Sequence, residues 1–141
     1  MFTAKVYRIM VGSLSGAMEE VYVAKETIRK WNQQNAERTG KVFMPIEWGT
    51  TPEAIQNVDI VVAVIDNWVD NPTFIEDCVE AGKQVMLLFN SLQDPTNTIS
   101  GEQKKVNMFL NQMQHLCYCS SYKAQTELVG SLNDRLDIFS L

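Results

Sequence analysis

The residues that could carry chemistry gather where apolar runs end. Gly12-Ser13-Leu14-Ser15-Gly16 closes the first run with small residues and two hydroxyls. A phosphate or ribose can come close to backbone N–H groups in such a turn, at the start of a helix. The plainer reading is that Ser13 and Ser15 cap that helix. Gly12-x-x-x-Gly16 by itself is neither a dinucleotide fingerprint nor a P-loop. Asp66, Asn67 and Trp68 follow the most apolar run of the chain at once. Asp66 and Asn67 could reach a ribose or an amide, or simply turn the chain. Trp48 and Trp68 could flank a flat base, or simply fill space.

Glu76 is the pivotal carboxylate. Placed at the carboxyl edge of a sheet, it could offset positive charge at a sugar carbon or hold ribose hydroxyls. Thr73-Phe74-Ile75-Glu76 is equally a capping box, in which the glutamate returns to the backbone of the cap. His115, Cys117 and Cys119 match no common zinc spacing and want a fourth ligand, so no metal is expected. No acid or nucleophile stands at a recognisable spacing from His115. Cys78, Cys117 and Cys119 are odd in number, with no export signal ahead of them, and are expected as thiols. No cofactor is expected.

These residues need a scaffold, and the stretch Val58–Trp68 provides its centre. Ile60 to Ile65 is apolar without a break and largely β-branched, the pattern of a strand buried on both faces. Lys5 to Val11 reads as a first strand. Met18, Val21, Ala24, Ile28 and Trp31 then recur at helical spacing, opposite a charged face, up to a close at Asn35–Gly40. Lys41 to Trp48 is a second strand whose Pro45 suits an edge position. A short helical turn at Pro52–Gln56 precedes the central strand. A helix opens at Asn71-Pro72-Thr73, capped by Asn71 or by Thr73, and stops at Gly82. Gln84 to Phe89 is a fourth, buried strand, and Asn90 to Gly101 a polar loop. A helix over Glu102–Gln114, a short strand at Cys117–Cys119 and a closing helix with Leu128, Val129, Leu132 and Leu136 complete the order. Right-handed crossovers make this a single doubly wound α/β domain over residues 1–141. Its parallel sheet has about five strands in the order 2-1-3-4-5, with helices on both faces.

Composition sets outer limits. A chain of 141 residues is one domain's worth, and its net charge of −5 with scattered Lys and Arg argues against nucleic acid as partner. No run approaches the roughly 20 apolar residues of a membrane span, and no signal-peptide core opens the chain, so a cytoplasmic location is expected.

The first ninety or so residues resemble a family of TIR-like domains of uncharacterised function, related to TIR domains and nucleoside deoxyribosyltransferases. The resemblance rests on Ile9-Met10-Val11-Gly12-Ser13-Leu14-Ser15 with Met18-Glu19-Glu20, and on Ile28-Arg29-Lys30-Trp31-Asn32. It continues through Val42-Phe43-Met44-Pro45-Ile46-Glu47-Trp48 and Glu80-Ala81-Gly82-Lys83-Gln84-Val85-Met86-Leu87-Leu88-Phe89. Two features depart from it. The segment before the central strand is cut to about Thr51–Asn57, and the Gly-Thr-x-x-Glu helix opening is here Asn71-Pro72-Thr73-Phe74-Ile75-Glu76. Counting back from Ala81-Gly82-Lys83 puts Phe74 where active relatives carry their glutamate. Glu76 takes that place in a helix two residues shorter.

The resemblance implies a nucleotide or NAD-derived ligand at the carboxyl edge of the sheet, with cleavage of its N-glycosidic bond by Glu76 as the enzymatic form. Gly12, Ser13, Ser15, Trp48, Asp66, Asn67 and Trp68 are then the ligand contacts, and self-association into a homo-oligomer is expected. The alternative is a non-catalytic protein that sequesters a signalling nucleotide, or acts through protein contacts, in host–phage defence or counter-defence.

Overall fold

The computed structural model describes residues 2–66, 71–90 and 101–141, with the side chains of α4 described from residue 104. Its centre is β3 (Ile60–Ile65), in which all six side chains are buried. The strand can bury both faces because both are covered. Val62 and Val64 join a core cluster with Val21, Ala24, Ile28 and Trp31 of α1 (Met18–Thr39) and Leu128, Leu132 and Leu136 of α5 (Gln125–Phe139). Val61, Ala63 and Ile65 join a second cluster on the other face. There they meet Ile55 of α2 (Pro52–Gln56), Phe74, Ile75 and Cys78 of α3 (Thr73–Glu80), and Val106, Phe109 and Met113 of α4 (Gly101–Met113). The two-residue period of a strand thus divides one apolar run between two cores.

β1 (Lys5–Ser13), β2 (Lys41–Ile46), β4 (Gln84–Asn90) and β5 (Tyr118–Tyr122) complete an all-parallel sheet in the order β2-β1-β3-β4-β5. This is the expected order, with Pro45 on the outer strand β2 as its missing donor requires. The stripe of α1 is buried as expected at Val21, Ala24, Ile28 and Trp31, but Met18 at its start is exposed, because it stands at the first position of the helix, ahead of the buried stripe. Full burial of Val21 or Ile28 contributes about 1.5–3 kcal/mol each. Trp31 is a core residue, and its Nε1–H donates to Asp137 Oδ1 at 2.8 Å, fastening α1 to α5.

Boundaries differ in several places, and β2 ends at Ile46, two residues before the expected Trp48, because its ladder to β1 ends at Met10↔Ile46. β1 runs on through Gly12 and Ser13, because both pair with β3, opposite Ala63 and Val64. β5 starts at Tyr118 and runs to Tyr122, beyond the Cys117–Cys119 expected, because its ladder to β4 begins at Met86↔Tyr118. The turn at α3 differs as well. Asn71 adopts φ 53°, a left-handed value that asparagine tolerates, and its carbonyl accepts from Phe74 N–H at 3.2 Å. Pro72 occupies the cap position with no side-chain capping bond. Among the described residues, no helix is long and apolar enough to cross a membrane.

Candidate functional site

The order reverses direction at β1 and β3, and the loop that leaves β1 lies in that crevice. Ser13 organises it. Its Oγ donates to Val64 O at 2.9 Å and accepts the N–H groups of Ser15 at 3.0 Å and Ala17 at 2.9 Å. One hydroxyl therefore ties β1 to β3 and caps the start of α1. Ser15 is buried, and its Oγ accepts Asp66 N–H at 2.6 Å. Leu14 N–H donates to Val64 O at 3.1 Å. The loop is thus stitched to the end of β3 through both serines and its own backbone. Gly16 stands at its tip with φ 84° and open space where a Cβ would lie. A side chain would strain that conformation, and glycine leaves the tip bare.

Asp66 is half-buried and brought against this loop. A residue not foreseen joins it. Tyr122, at the end of β5, is 3% exposed, and burial raises the pKa of its hydroxyl, with the carboxylates of Glu20 and Asp66 adding to the effect. Glu20 belongs to the first turn of α1, whose Glu19 accepts from Gln125 Nε2 of α5 at 3.1 Å. The carboxyl edge therefore assembles hydroxyls and carboxylates from β1, α1, β3 and β5. Such groups accept from sugar hydroxyls and amines. The signal for Tyr122 in the sequence was faint, one aromatic closing a short, mostly polar strand, and the acids whose charge bears on it lie 102 and 56 residues away.

Trp48 lies on the other side of the crevice. Its indole rests on Gly12 so closely that a Cβ there would stand 2.1 Å from Cδ2, and Phe74 meets it edge-on at 5.3 Å between ring centres. Gly49 N–H donates to Met10 Sδ at 3.2 Å and holds the segment down. Gly12 is thus the bed of a tryptophan. Phe74 is buried, so the position reached by counting back along α3 is a core position.

Glu76 is drawn sideways. Gln112 Nε2 of α4 donates to its Oε1 at 3.1 Å, while Thr73 Oγ1 donates to Asn71 Oδ1 at 3.0 Å. The capping box does not form, because α3 begins one residue too early to place Glu76 at its third position. Asn67 and Trp68 lie outside the described residues. No group of three or more His, Cys, Asp or Glu suited to a metal occurs among the described residues.

No protein-family model and no curated protein matches the chain. Solved structures do. A short-chain flavodoxin associated with a non-canonical PDU bacterial microcompartment is 13% identical, with each chain covered over 100% of its length and a TM-score of 0.51. Homoserine dehydrogenase of S. aureus is 11% identical, with a TM-score of 0.51 over 84% of this chain. The chain spans 33%, about a third, of that dehydrogenase. At these identities the likeness is one of fold, and the fold is a flavodoxin-like α/β sheet.

Proposed function

We propose that the protein binds a nucleotide-like small molecule in the crevice where β1 and β3 diverge, with its ribose toward Asp66, Glu20 and Tyr122. The observation that carries this reading is the stitched loop. Ser13 and Ser15 fix the backbone of residues 13–17 against β3 and leave the bare tip at Gly16 facing out. A preset loop at a switch point is where mononucleotides sit in sheets of this order, flavin mononucleotide among them. The likeness to a flavodoxin and the TIR-like resemblance both agree with a ligand of this class. We read the carboxylates as acceptors for ribose hydroxyls, since each such charged hydrogen bond is worth about 1.5–3 kcal/mol.

The same reading makes the protein a cytoplasmic binder, self-associating as TIR-like domains do, rather than an N-glycosidase. Glu76, the carboxylate that cleavage would need, is engaged by Gln112. Sequestration of a signalling nucleotide in host–phage conflict is a use that such a binder would serve. The test is mass spectrometry of what the purified protein releases on denaturation, followed by calorimetric titration with NAD, ADP-ribose and flavin mononucleotide. A released or titrating nucleotide whose affinity drops in Asp66→Ala supports the proposal. A protein that carries none and takes up none of the three overturns it. Release of nicotinamide from NAD at high protein concentration would restore the enzymatic reading.

A further inference from the structure

We propose that the amino edge of the sheet holds a second ligand site, in which Arg135 and Lys5 bind the carboxylate of a small organic monoanion with an apolar or aromatic body. The site lies at the opposite end of the strands from the nucleotide crevice and is independent of it.

Unequal strand starts build it. β1 and β3 pair from Ile9↔Ile60, so Lys5 to Arg8 run past the start of β3, whereas β4 starts level with β3 at Ile60↔Gln84. The overhang is pinned at its base. Asp59 N–H donates to Arg8 O at 2.9 Å, and Asp59 Oδ2 accepts Arg8 N–H at 2.8 Å. Lys5 and Tyr7 share a face of β1 with Ile9, the face that α5 covers. The end of α5 supplies Arg135, Ile138 and Phe139 as the facing wall. Between overhang and helix lies a cavity of about 500 Å3, with Asp59 and Gln84 also in its lining. Small-molecule sites have volumes of this size.

Arg135 is the residue that packing alone does not explain. Its Cζ stands 4.3 Å from the centre of the Tyr118 ring and 5.2 Å from that of Phe139. Contact with ring faces fixes the guanidinium in place without using its N–H donors. Its Nε is buried and no protein acceptor reaches it. Among the described residues no carboxylate lies within ion-pair distance of it, since Arg29 and Glu26 make the one such pair. Buried donors are paired as a rule, and the planar fork of a guanidinium fits a carboxylate with two parallel bonds. Lys5 adds a second cation, its Nζ held 5.0 Å from the centre of the Tyr7 ring.

Charge balance narrows the ligand. The lining holds two cations and one carboxylate, Asp59, of which one oxygen already serves Arg8 N–H. An excess of one positive charge suits a monoanion, and Asp59 opposes a phosphate dianion. The carbonyl end of α5 would also repel an anion, but Lys41 answers it, its Nζ donating to Ser140 O. Val6 and Ile138, both half-exposed, line the cavity beside Tyr7 and Phe139 and can cover an apolar body.

Calorimetric titration of the full chain with benzoate, 3-phenylpropionate and inorganic phosphate tests the site. At least one aromatic carboxylate should bind one-to-one, and phosphate at least about tenfold more weakly. Arg135→Lys keeps the charge but loses the fork, and should weaken the carboxylate about tenfold or more. Lys5→Ala should weaken it by about threefold, as for an exposed ion pair. Asp66→Ala, in the other crevice, should leave it unchanged. No binding of either carboxylate at millimolar concentration, binding untouched by both basic-residue substitutions, or phosphate bound as tightly would each overturn the proposal. So would loss of carboxylate binding in Asp66→Ala. Lys5 is exposed, so Lys5→Ala remains decisive if Arg135→Lys fails to fold.

Discussion

The Oγ of Ser15 accepts the backbone N–H of Asp66 at 2.6 Å, a bond between the loop after β1 and the first residue beyond β3. Both ends of the crevice are held in register by it. Ser15→Ala strands that N–H and should cost about 1–3 kcal/mol in urea unfolding. Ser13→Ala should cost more, because the Ser13 hydroxyl serves Val64 O, Ser15 N and Ala17 N together. Negligible costs for both would mean that the loop is held by its backbone alone.

Gly12 and Trp48 make a pair that can be tested by a double-mutant cycle. A Cβ on Gly12 would stand 2.1 Å from the Trp48 ring, so Gly12→Ala should destabilise by about 1–3 kcal/mol through overfilling. In a Trp48→Ala background the same substitution should cost far less, since the ring it strikes is gone. Additive costs would show that the strain lies in the β1 backbone instead.

On the outer strand β2, the Asn32 side chain acts as a neighbouring strand. Its Nδ2 donates to Phe43 O at 2.7 Å and its Oδ1 accepts from Phe43 N–H at 2.9 Å. Asn32→Ala leaves a donor and an acceptor of an edge strand unpaired. Stability should fall by about 1–3 kcal/mol. The freed edge should also raise the self-associated fraction in sedimentation at high concentration. Unchanged sedimentation would show that Pro45 protects the edge alone.

Cys78 gives the molecule a dependence on alkaline pH. Burial first, then Asp77, raises its thiol from 9.0 to about 11 in the folded state. The unfolded chain therefore loses this proton first, and the stability tied to it is whole below pH 9 and lost as pH climbs through about 11. The loss should reach about 3 kcal/mol, visible as a steeper decline of unfolding free energy in the native protein than in Cys78→Ala. Parallel curves would show that the thiol is not shielded.

Glu76→Gln keeps an acceptor for Gln112 at a half-buried position of α3 and should change the melting temperature by less than about 2 °C. Under the binding proposal nucleotide affinity is also unchanged. A hundredfold loss of an NAD-cleaving activity would instead assign this carboxylate to catalysis.

The sequence by itself determined the scaffold. An unbroken run such as Ile60–Ile65 can be satisfied only between two covered faces, and the α1 stripe from Val21 to Trp31 supplies one cover. Pro45 could sit only at an edge, and with right-handed crossovers these constraints leave one simple strand order. Local chemistry also reached the loop at Ser13 and Ser15, since small residues between a strand and a helix have few other uses. What tertiary structure decided was pairing at long range. Tyr122 feels the charges of Glu20 and Asp66 because parallel strands bring their carboxyl ends to one edge, whatever their separation along the chain. Gly12 reads as a flexible turn until Trp48 is seen lying on it. Glu76 reads as a cap until the start of α3 at Thr73 turns it toward Gln112, since one residue along a helix rotates a side chain by about 100°.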